Sequence, residues 1–170
     1  MIMGPRFRKL VLVAHVATSV GSLGAVAVFL ALAVIGLASR DSETVRAAYV
    51  ANELIARFII LPLILASLLI GIVQSLGTQW GLFRHYWVVA KLMLTIVTVV
   101  VLLLQMDGIA EVAAAAANTT MSSADLLVLR TSLWLHAAGG LLVLLVTTVL
   151  SVYKPRGLTR YGWRKQHAPA

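Results

Sequence analysis

Cysteine is absent from the 170 residues of this chain, which excludes disulfides, thiolate nucleophiles and iron–sulfur clusters. Any metal or cofactor ligand must therefore be His, Lys, Met, Tyr or a carboxylate. Acidic residues are also scarce, with six Asp and Glu against 14 Lys and Arg, whereas a metal transporter is expected to carry more carboxylates, Met or Cys along its pore. The sequence further lacks the GxSxG, HExxH, P-loop and dinucleotide-binding motifs, so it shows none of these enzyme signatures.

Charge of either sign is rare, because only 12% of the residues are charged and 61% are hydrophobic. Soluble domains have an apolar fraction nearer one half, so the composition predicts an integral membrane protein. The net charge of +8 does not predict nucleic-acid binding here, because the basic residues cluster at the ends of apolar segments. In that position they set topology and meet anionic lipid, so the expected partners are the bilayer and anionic lipid at its cytoplasmic face.

Four apolar segments are long enough to cross a bilayer as helices, at about residues 9–38, 44–75, 86–106 and 124–153. In a chain of this length helices are the only spanning elements whose backbone is satisfied. The predicted fold class is therefore an all-α integral membrane four-helix bundle, forming one transmembrane domain over residues 1–170. The first segment is too long for a signal peptide, and we expect it to be a retained helix.

The segments between and after the apolar helices contain residues that predict local structure. Asp41 or Ser42 is placed to cap the second helix, and Pro62 predicts a kink within that helix. The Ala-rich segment after the third helix predicts a short helix on the membrane surface near residues 109–117. A basic tail over residues 154–170 is predicted to be cytoplasmic and irregular after Pro155.

Charge counting predicts the topology. A cytoplasmic N-terminus places all six acids and only three bases, Arg40, Arg46 and Arg130, on the outer side. The positive-inside rule then predicts both termini in the cytoplasm of a bacterial cell. The inner side carries nine bases: Arg6, Arg8, Lys9, Arg84, Lys154, Arg156, Arg160, Arg164 and Lys165.

Helical rise converts sequence position into depth and predicts two polar layers. His15 and Lys91 fall in an inner layer, and Arg57 and His136 fall in an outer one. Glu53 precedes Arg57 by four residues, the spacing of a helical ion pair. The inner layer also holds Thr18, Gly71, Gln74 and Thr95, whereas the outer layer holds Glu53 and Gln105, with Arg130 nearer the surface.

Intramembrane charge marks a functional site by default, and bundles build cofactor sites between facing helices. The leading hypothesis is a small redox-associated protein that binds one haem b or a similar flat cofactor. His15 or His136 would be the axial metal ligand, and Lys91, Arg57 or Arg130 would serve the propionates or a second ligand position. A conduit with two haems would need four intramembrane histidines, and only these two are present.

Other interpretations stay open. Lys91 can extend to the cytoplasmic interface, and the polar layers can serve helix association in a non-catalytic accessory subunit or a small transporter. A third hypothesis places a quinone-like molecule or lipid headgroup at Arg57 and His136. The Gly and Ala faces are compatible with a homodimer or a larger membrane complex.

Three stretches carry a family resemblance: LVLVAHVATSVGSLG around His15, GIVQSLGTQWGLFRHYWVVAKL from Gly71 to Leu92, and the segment around His136. In them the chain resembles a family of small uncharacterised bacterial four-helix integral membrane proteins. His15 with the W-x-x-x-K pair Trp87 and Lys91 is more loosely similar to the membrane-bound haem-containing protoporphyrinogen oxidases and to copper-resistance membrane domains. The looser resemblance implies haem binding or activity at His15 and Lys91.

Overall fold

The computed structural model describes residues 3–78, 81–118 and 124–166. Most of these residues are helical, and they form no β-strand. Four long helices are α1 (Pro5–Ala38), α2 (Ser42–Leu76), α3 (Tyr86–Ala117) and α4 (Ala124–Tyr153), followed by the short α5 (Arg160–Gln166). Each long helix has the length and apolar composition needed to cross a membrane, which confirms the all-α class and the four predicted apolar helices.

Each long helix packs against two others, in the ring order α1, α2, α3 and α4. We call one end of this bundle the termini end; it carries Met3, the described residues of the α2–α3 junction (77–78 and 81–85) and α5. The opposite end, the loop end, carries the α1–α2 turn (residues 39–41) and the C-terminus of α3. Helices α1 and α3 therefore face each other across the bundle axis, as α2 and α4 do.

The best-packed core lies towards the loop end. Tyr49 of α2 is its largest fully buried side chain, and the Tyr49 ring packs against Gly36 of α1. Ala33, Ala56 and Val112 have no exposed surface, so three helices approach closely at this level. Small residues are the usual means of close helix packing in membranes, where apolar burial alone does not draw helices together.

Helix α2 begins at a capped turn and contains an irregular one. Asp41 is the N-cap residue, and its Oδ2 accepts a hydrogen bond from the Thr44 N–H at 3.0 Å. A π-helical turn spans Ala56–Ile60, where the Leu61 N–H reaches the Ala56 carbonyl. This turn directly precedes Pro62, whose missing N–H disturbs the hydrogen-bond ladder at the place where the sequence predicts an irregularity.

Helix α3 is longer than predicted. It continues through Asp107 to Ala117 as one helix of 32 residues, so the predicted end at residue 106 and the separate surface helix near 109–117 are wrong. Alanine has the highest helix propensity, and the segment has a packing face as well. Ile109, Val112, Ala113 and Ala116 are all buried.

The tail after α4 is ordered where the sequence predicts an irregular segment, and that prediction is wrong up to Gln166. Lys154 ends α4 in the left-handed conformation, with φ of 44°. The chain then pairs with the α2–α3 junction, since the Thr159 N–H donates to the Arg84 carbonyl at 3.0 Å. Gly162 lies so close to the Arg84 backbone that a Cβ would collide with it. The remaining residues 167–170 of the predicted tail lie outside the described residues.

Candidate functional site

A cavity of about 410 Å³ lies within the termini end of the bundle. This volume falls in the range of about 300–1,000 Å³ that is usual for ligand pockets. All four long helices contribute to its wall, together with Thr78 and Leu82 of the α2–α3 junction. The polar and charged residues of the wall are His15, Ser19, Ser67, Gln74, Ser75, Thr78, Lys91, Thr95, Thr148, Ser151 and Lys154.

Lys91 reaches the cavity from α3. Its Nζ lies 5.4 Å from the ring centroid of Trp87, one turn nearer the termini end, so the side chain extends towards that end as α-helical geometry favours. Lys154 lines the same cavity from the end of α4, and the two ammonium charges are near enough to repel each other. No described carboxylate forms an ion pair with Lys91.

His15 lies on α1, across the bundle from Lys91. Gly71 of α2 makes room for it, because a Cβ at Gly71 would come within 3.0 Å of the imidazole Cε1. The ring also interacts with the backbone of Ser67. Its Nδ1 is buried without a hydrogen-bond partner, as is Oε1 of the nearby Gln74. Buried polar atoms are usually satisfied, so these two atoms mark a place where a bound molecule or water is expected.

Most cavity hydroxyls bond within their own helix. Ser75 donates to the Gly71 carbonyl and Thr95 to the Lys91 carbonyl, each at 2.8 Å. Ser19 and Ser67 differ, since their hydroxyls join α1 to α2 at 2.8 Å. Few of these groups are therefore needed for helix association, and their remaining lone pairs can face a ligand.

The charged side chains among the described residues that line the cavity are lysines. Among the described residues that line it, none is Asp or Glu. The acidic residues whose side chains the structure describes lie on the half of the bundle nearer the loop end: Asp41, Glu43, Glu53, Asp107 and Glu111. Two lysine ammonium groups that line one cavity favour an anionic occupant.

Arg130, a predicted propionate partner, lies elsewhere. Its guanidinium donates from Nε to the Tyr49 hydroxyl at 2.9 Å and from Nη2 to the Gly36 carbonyl. The guanidinium carbon is 5.3 Å from the centroid of the Tyr49 ring. Arg130 thus joins α4 to α1 and α2 at the loop end, and nothing in this geometry directs it towards His15 or Lys91.

Arg57 and His136, which belong to the predicted outer layer, do not form one site. Arg57 follows the geometry of a helical ion pair, with Nη2 3.7 Å from Oε1 of Glu53, but its side chain is 52% exposed. His136 is exposed too, and its Nδ1 lies 2.7 Å from the Ser132 carbonyl of its own helix. A Cβ at Gly139 or Gly140 would meet no atom within 4 Å, so the space beside His136 is open towards the outside of the bundle.

Metal ligands are not grouped. Among the described residues, no three His, Asp or Glu side chains lie close enough to hold one metal ion. His15 and His136, the two predicted metal ligands, occupy different parts of the bundle, and only His15 lines the cavity. The sequence does not predict the contacts of two residues. Lys154 belongs to the predicted tail and not to a predicted polar layer, and no sequence pattern links Tyr49 to Arg130.

Comparison with protein-family models, with curated proteins and with solved structures finds no match to this chain.

Proposed function

We propose that this chain is a multi-pass protein of the bacterial cytoplasmic membrane, with both termini cytoplasmic, that binds one anionic ligand in the cavity at the termini end. A single observation carries the proposal. Lys91, Lys154 and His15 line one cavity whose described wall contains no carboxylate. A lysine at the centre of a membrane helix costs about 2.5–3.5 kcal/mol on insertion scales, and less nearer the interface. An anionic ligand would offset the cost at Lys91 by supplying a counter-charge.

The atoms around the two cations suit the head of such a ligand. Lys91 and Lys154 supply the charge, and the Ser75 and Thr95 hydroxyls lie in the same wall. The unpartnered Nδ1 of His15 and Oε1 of Gln74 offer one group that can donate or accept a proton and one acceptor. A phosphate or carboxylate with one protonated or hydroxyl group would satisfy all of them.

Butyl phosphate, which is water-soluble, provides a direct test with the protein in lipid nanodiscs. Wild type is expected to bind it saturably, and Lys91→Gln to bind it at least about tenfold more weakly, since a desolvated charge contact is worth on the order of 1.4 kcal/mol or more. Arg57→Gln is the matched control, because it removes a cation of another apolar helix that does not line the cavity. It should leave the affinity within about twofold.

Two results would overturn the proposal: wild type that does not bind, or equal losses in Lys91→Gln and Arg57→Gln. Lys91→Arg keeps the charge and should retain most of the binding, which separates a lost charge from a misfolded bundle. Ser67→Ala should lower thermal stability without abolishing binding, because the Ser19–Ser67 hydrogen bond joins two helices.

Haem b is a second candidate ligand, favoured by the unpartnered imidazole nitrogen of His15. Its propionates are anions that Lys91 and Lys154 would serve, and His15 would be the axial ligand. Protein purified after haem-replete expression would then show a Soret band that His15→Ala removes and His136→Ala keeps. Colourless wild type would exclude haem while leaving the anionic-ligand proposal intact.

A non-catalytic role in helix association is the alternative for the polar residues at the loop end. The contacts of Arg130 with Tyr49 and Gly36 favour such a role there. They hold three helices together, and Arg130 does not line the cavity.

A further inference from the structure

We propose that the ligand is an anionic amphiphile of the cytoplasmic leaflet and that it enters the cavity sideways, between α1 and α4. This inference rests on the proposed anion binding and adds the class of ligand and its route. A small soluble anion would need only the charged wall, whereas an amphiphile also needs an apolar opening towards the lipid. The structure contains such an opening.

The opening is located by the exposure of the wall residues. Every cavity-lining residue that is also well exposed belongs to α1 or to the C-terminal end of α4. The residues that α2, α3 and their junction contribute are buried or half-buried. The exposed wall residues are Leu12, Val16, Val20, Thr148, Val152 and Lys154.

Packing explains why the bundle opens at this place. α1 and α4 share a core towards the loop end, where Phe29 and Ala33 belong to one buried cluster with Leu133 and Ala137. Beyond Ala137, no residue of α4 as far as Tyr153 is buried. The two helices therefore lack a shared buried core over the half that borders the cavity.

The residues at the opening are mostly apolar and those in the interior include charged and polar groups, which matches the apolar chain and charged head of an amphiphile. Four of the six exposed wall residues, which form the rim of the opening, are aliphatic, and two of them, Val20 and Val152, are 60% and 72% exposed. The interior holds Lys91, which is only half-buried, and the imidazole of His15. A charged head can thus reach Lys91 while its chain leaves through an aliphatic gap into the bilayer.

Lys154 lies at the termini end of the same rim. It directly follows α4, at the level where the helix leaves its apolar span, which is the level of lipid headgroups on the cytoplasmic side in the proposed topology. A lysine at this depth attracts anionic headgroups to the surface. Lys154 is thus placed to meet the head of the amphiphile before Lys91 does.

A tryptophan placed in the rim tests the route. Val16→Trp and Val152→Trp narrow the gap from its two sides, and Val13→Trp is the matched control, because Val13 is 65% exposed on α1 but does not line the cavity. Each variant is titrated in nanodiscs of neutral lipid with two probes. One is a long-chain phosphatidate that carries a photoreactive diazirine in its chain, and the other is butyl phosphate.

Both rim variants are expected to bind the phosphatidate at least about tenfold more weakly and to keep butyl phosphate affinity within about twofold. Val13→Trp should change neither affinity. Retained butyl phosphate binding shows that the rim variants are folded. In wild type, irradiation should place the diazirine adduct on α1 and α4 residues of the rim, and Lys91→Gln should reduce its yield.

The remaining outcomes separate the two proposals. Wild type that binds butyl phosphate but not phosphatidate leaves the proposed function standing and overturns this inference, as does phosphatidate binding that the rim variants do not weaken. Binding of neither probe overturns both. Disulfide-linked dimers formed by Val16→Cys, without phosphatidate adducts, would show that a second copy covers the gap, and this would also overturn the lateral route.

Discussion

At the scale of single residues, one arginine shows how this chain holds a charge among apolar helices. Arg130 binds the Tyr49 hydroxyl and the Gly36 carbonyl, so two of its donors are satisfied by other helices. Gly36 contributes twice, because it offers its carbonyl and leaves space for the Tyr49 ring. The absence of a side chain at Gly36 thus allows Arg130 to bind both the Tyr49 hydroxyl and the Gly36 carbonyl.

Gly36→Ala is predicted to destabilise the bundle. A Cβ there would lie 2.7 Å from Cζ of Tyr49, and the buried ring, held by Arg130, has little freedom to move. Overpacking of this kind costs typically about 1–3 kcal/mol. The free energy of unfolding, measured by SDS titration in mixed micelles, should fall by about that amount.

Gly24→Ala provides the control on the same helix. A Cβ at Gly24 would meet no atom within 4 Å, so the change should be neutral or stabilising by up to about 1 kcal/mol through helix propensity. Equal effects of the two substitutions would show that Tyr49 does not pack against Gly36 as the structure places it.

Depth along each helix predicts which residues share a layer of the bundle. His15, Gly71, Gln74 and Lys91 line one cavity, because two residues at equal depth on inward faces must lie near each other. Equal depth did not bring Arg57 and His136 together, since rotation about the helix axis decides which face points inward. The π-helical turn at Ala56–Ile60 lies at Arg57 and alters the rotation in a way that residue spacing does not reveal.

At the scale of elements, the continuity of α3 is the main departure from the sequence prediction. Asp107, Gly108 and Glu111 interrupt the apolar run and therefore suggest the end of a span. They do not end the helix, because Ile109, Val112 and Ala116 pack on one face while Glu111 is exposed. Hydropathy marks the edge of a membrane, whereas backbone hydrogen bonding and packing decide where a helix ends.

Glu111→Pro tests this continuity. Proline in a helix interior removes one hydrogen bond and clashes with the preceding turn, which costs about 3 kcal/mol or more. Because the Glu111 side chain is exposed, Glu111→Ala should change the free energy of unfolding by no more than about 0.5 kcal/mol. Small effects of both substitutions would mean that the helix ends before residue 111.

The start of α2 gives a prediction about pH. A hydrogen bond from the Thr44 hydroxyl, followed by one from the Thr44 backbone, lowers the pKa of Asp41 below its ordinary value of 3.8. Because the folded pKa is lowered, this carboxylate contributes stability that is fully present above pH 3.8 and is lost as the pH falls through the lower folded value. Asp41→Asn keeps a capping oxygen that does not titrate.

The expected result is a melting temperature of wild type that falls relative to Asp41→Asn as the pH is lowered below 3.8. Above that pH the difference between the two proteins should be constant. Thr44→Val removes the largest cause of the lowered pKa and should weaken the pH dependence. If the difference in melting temperature between wild type and Asp41→Asn does not change with pH, the lowered pKa of Asp41 is contradicted.

At the scale of the whole molecule, the two ends of the bundle differ in packing and charge. The loop end holds a buried core that includes Tyr49, and the acids whose side chains the structure describes lie on that half. The termini end is open, and its cavity is lined by cations. The tail reinforces this end, because the Thr159 hydroxyl accepts from the Gly162 N–H at 3.1 Å and caps α5 against the α2–α3 junction. Such an asymmetry fits a stable half at the loop end and a ligand-binding half at the termini end.

The proposed topology follows from the same asymmetry and can be tested by cysteine labelling, since the chain has no cysteine of its own. Phe7 and Tyr161 lie at the termini end and are 54% and 55% exposed, and Ser42 is exposed at the loop end. In spheroplasts of cells expressing single-cysteine variants, a membrane-impermeant maleimide should label Ser42→Cys and should label Phe7→Cys and Tyr161→Cys only after permeabilisation.

The reason for this expectation is energetic. Nine bases lie towards the termini end against three towards the loop end, and the excess of Lys and Arg in short cytoplasmic segments sets orientation. Labelling of Phe7→Cys in intact spheroplasts would show that the orientation in the membrane is the reverse of the proposed one. Lys91 and Lys154 would then lie towards the outer leaflet. The route between α1 and α4 would then open to lipids of that leaflet, so this measurement also decides from which side of the membrane the cavity draws its ligand.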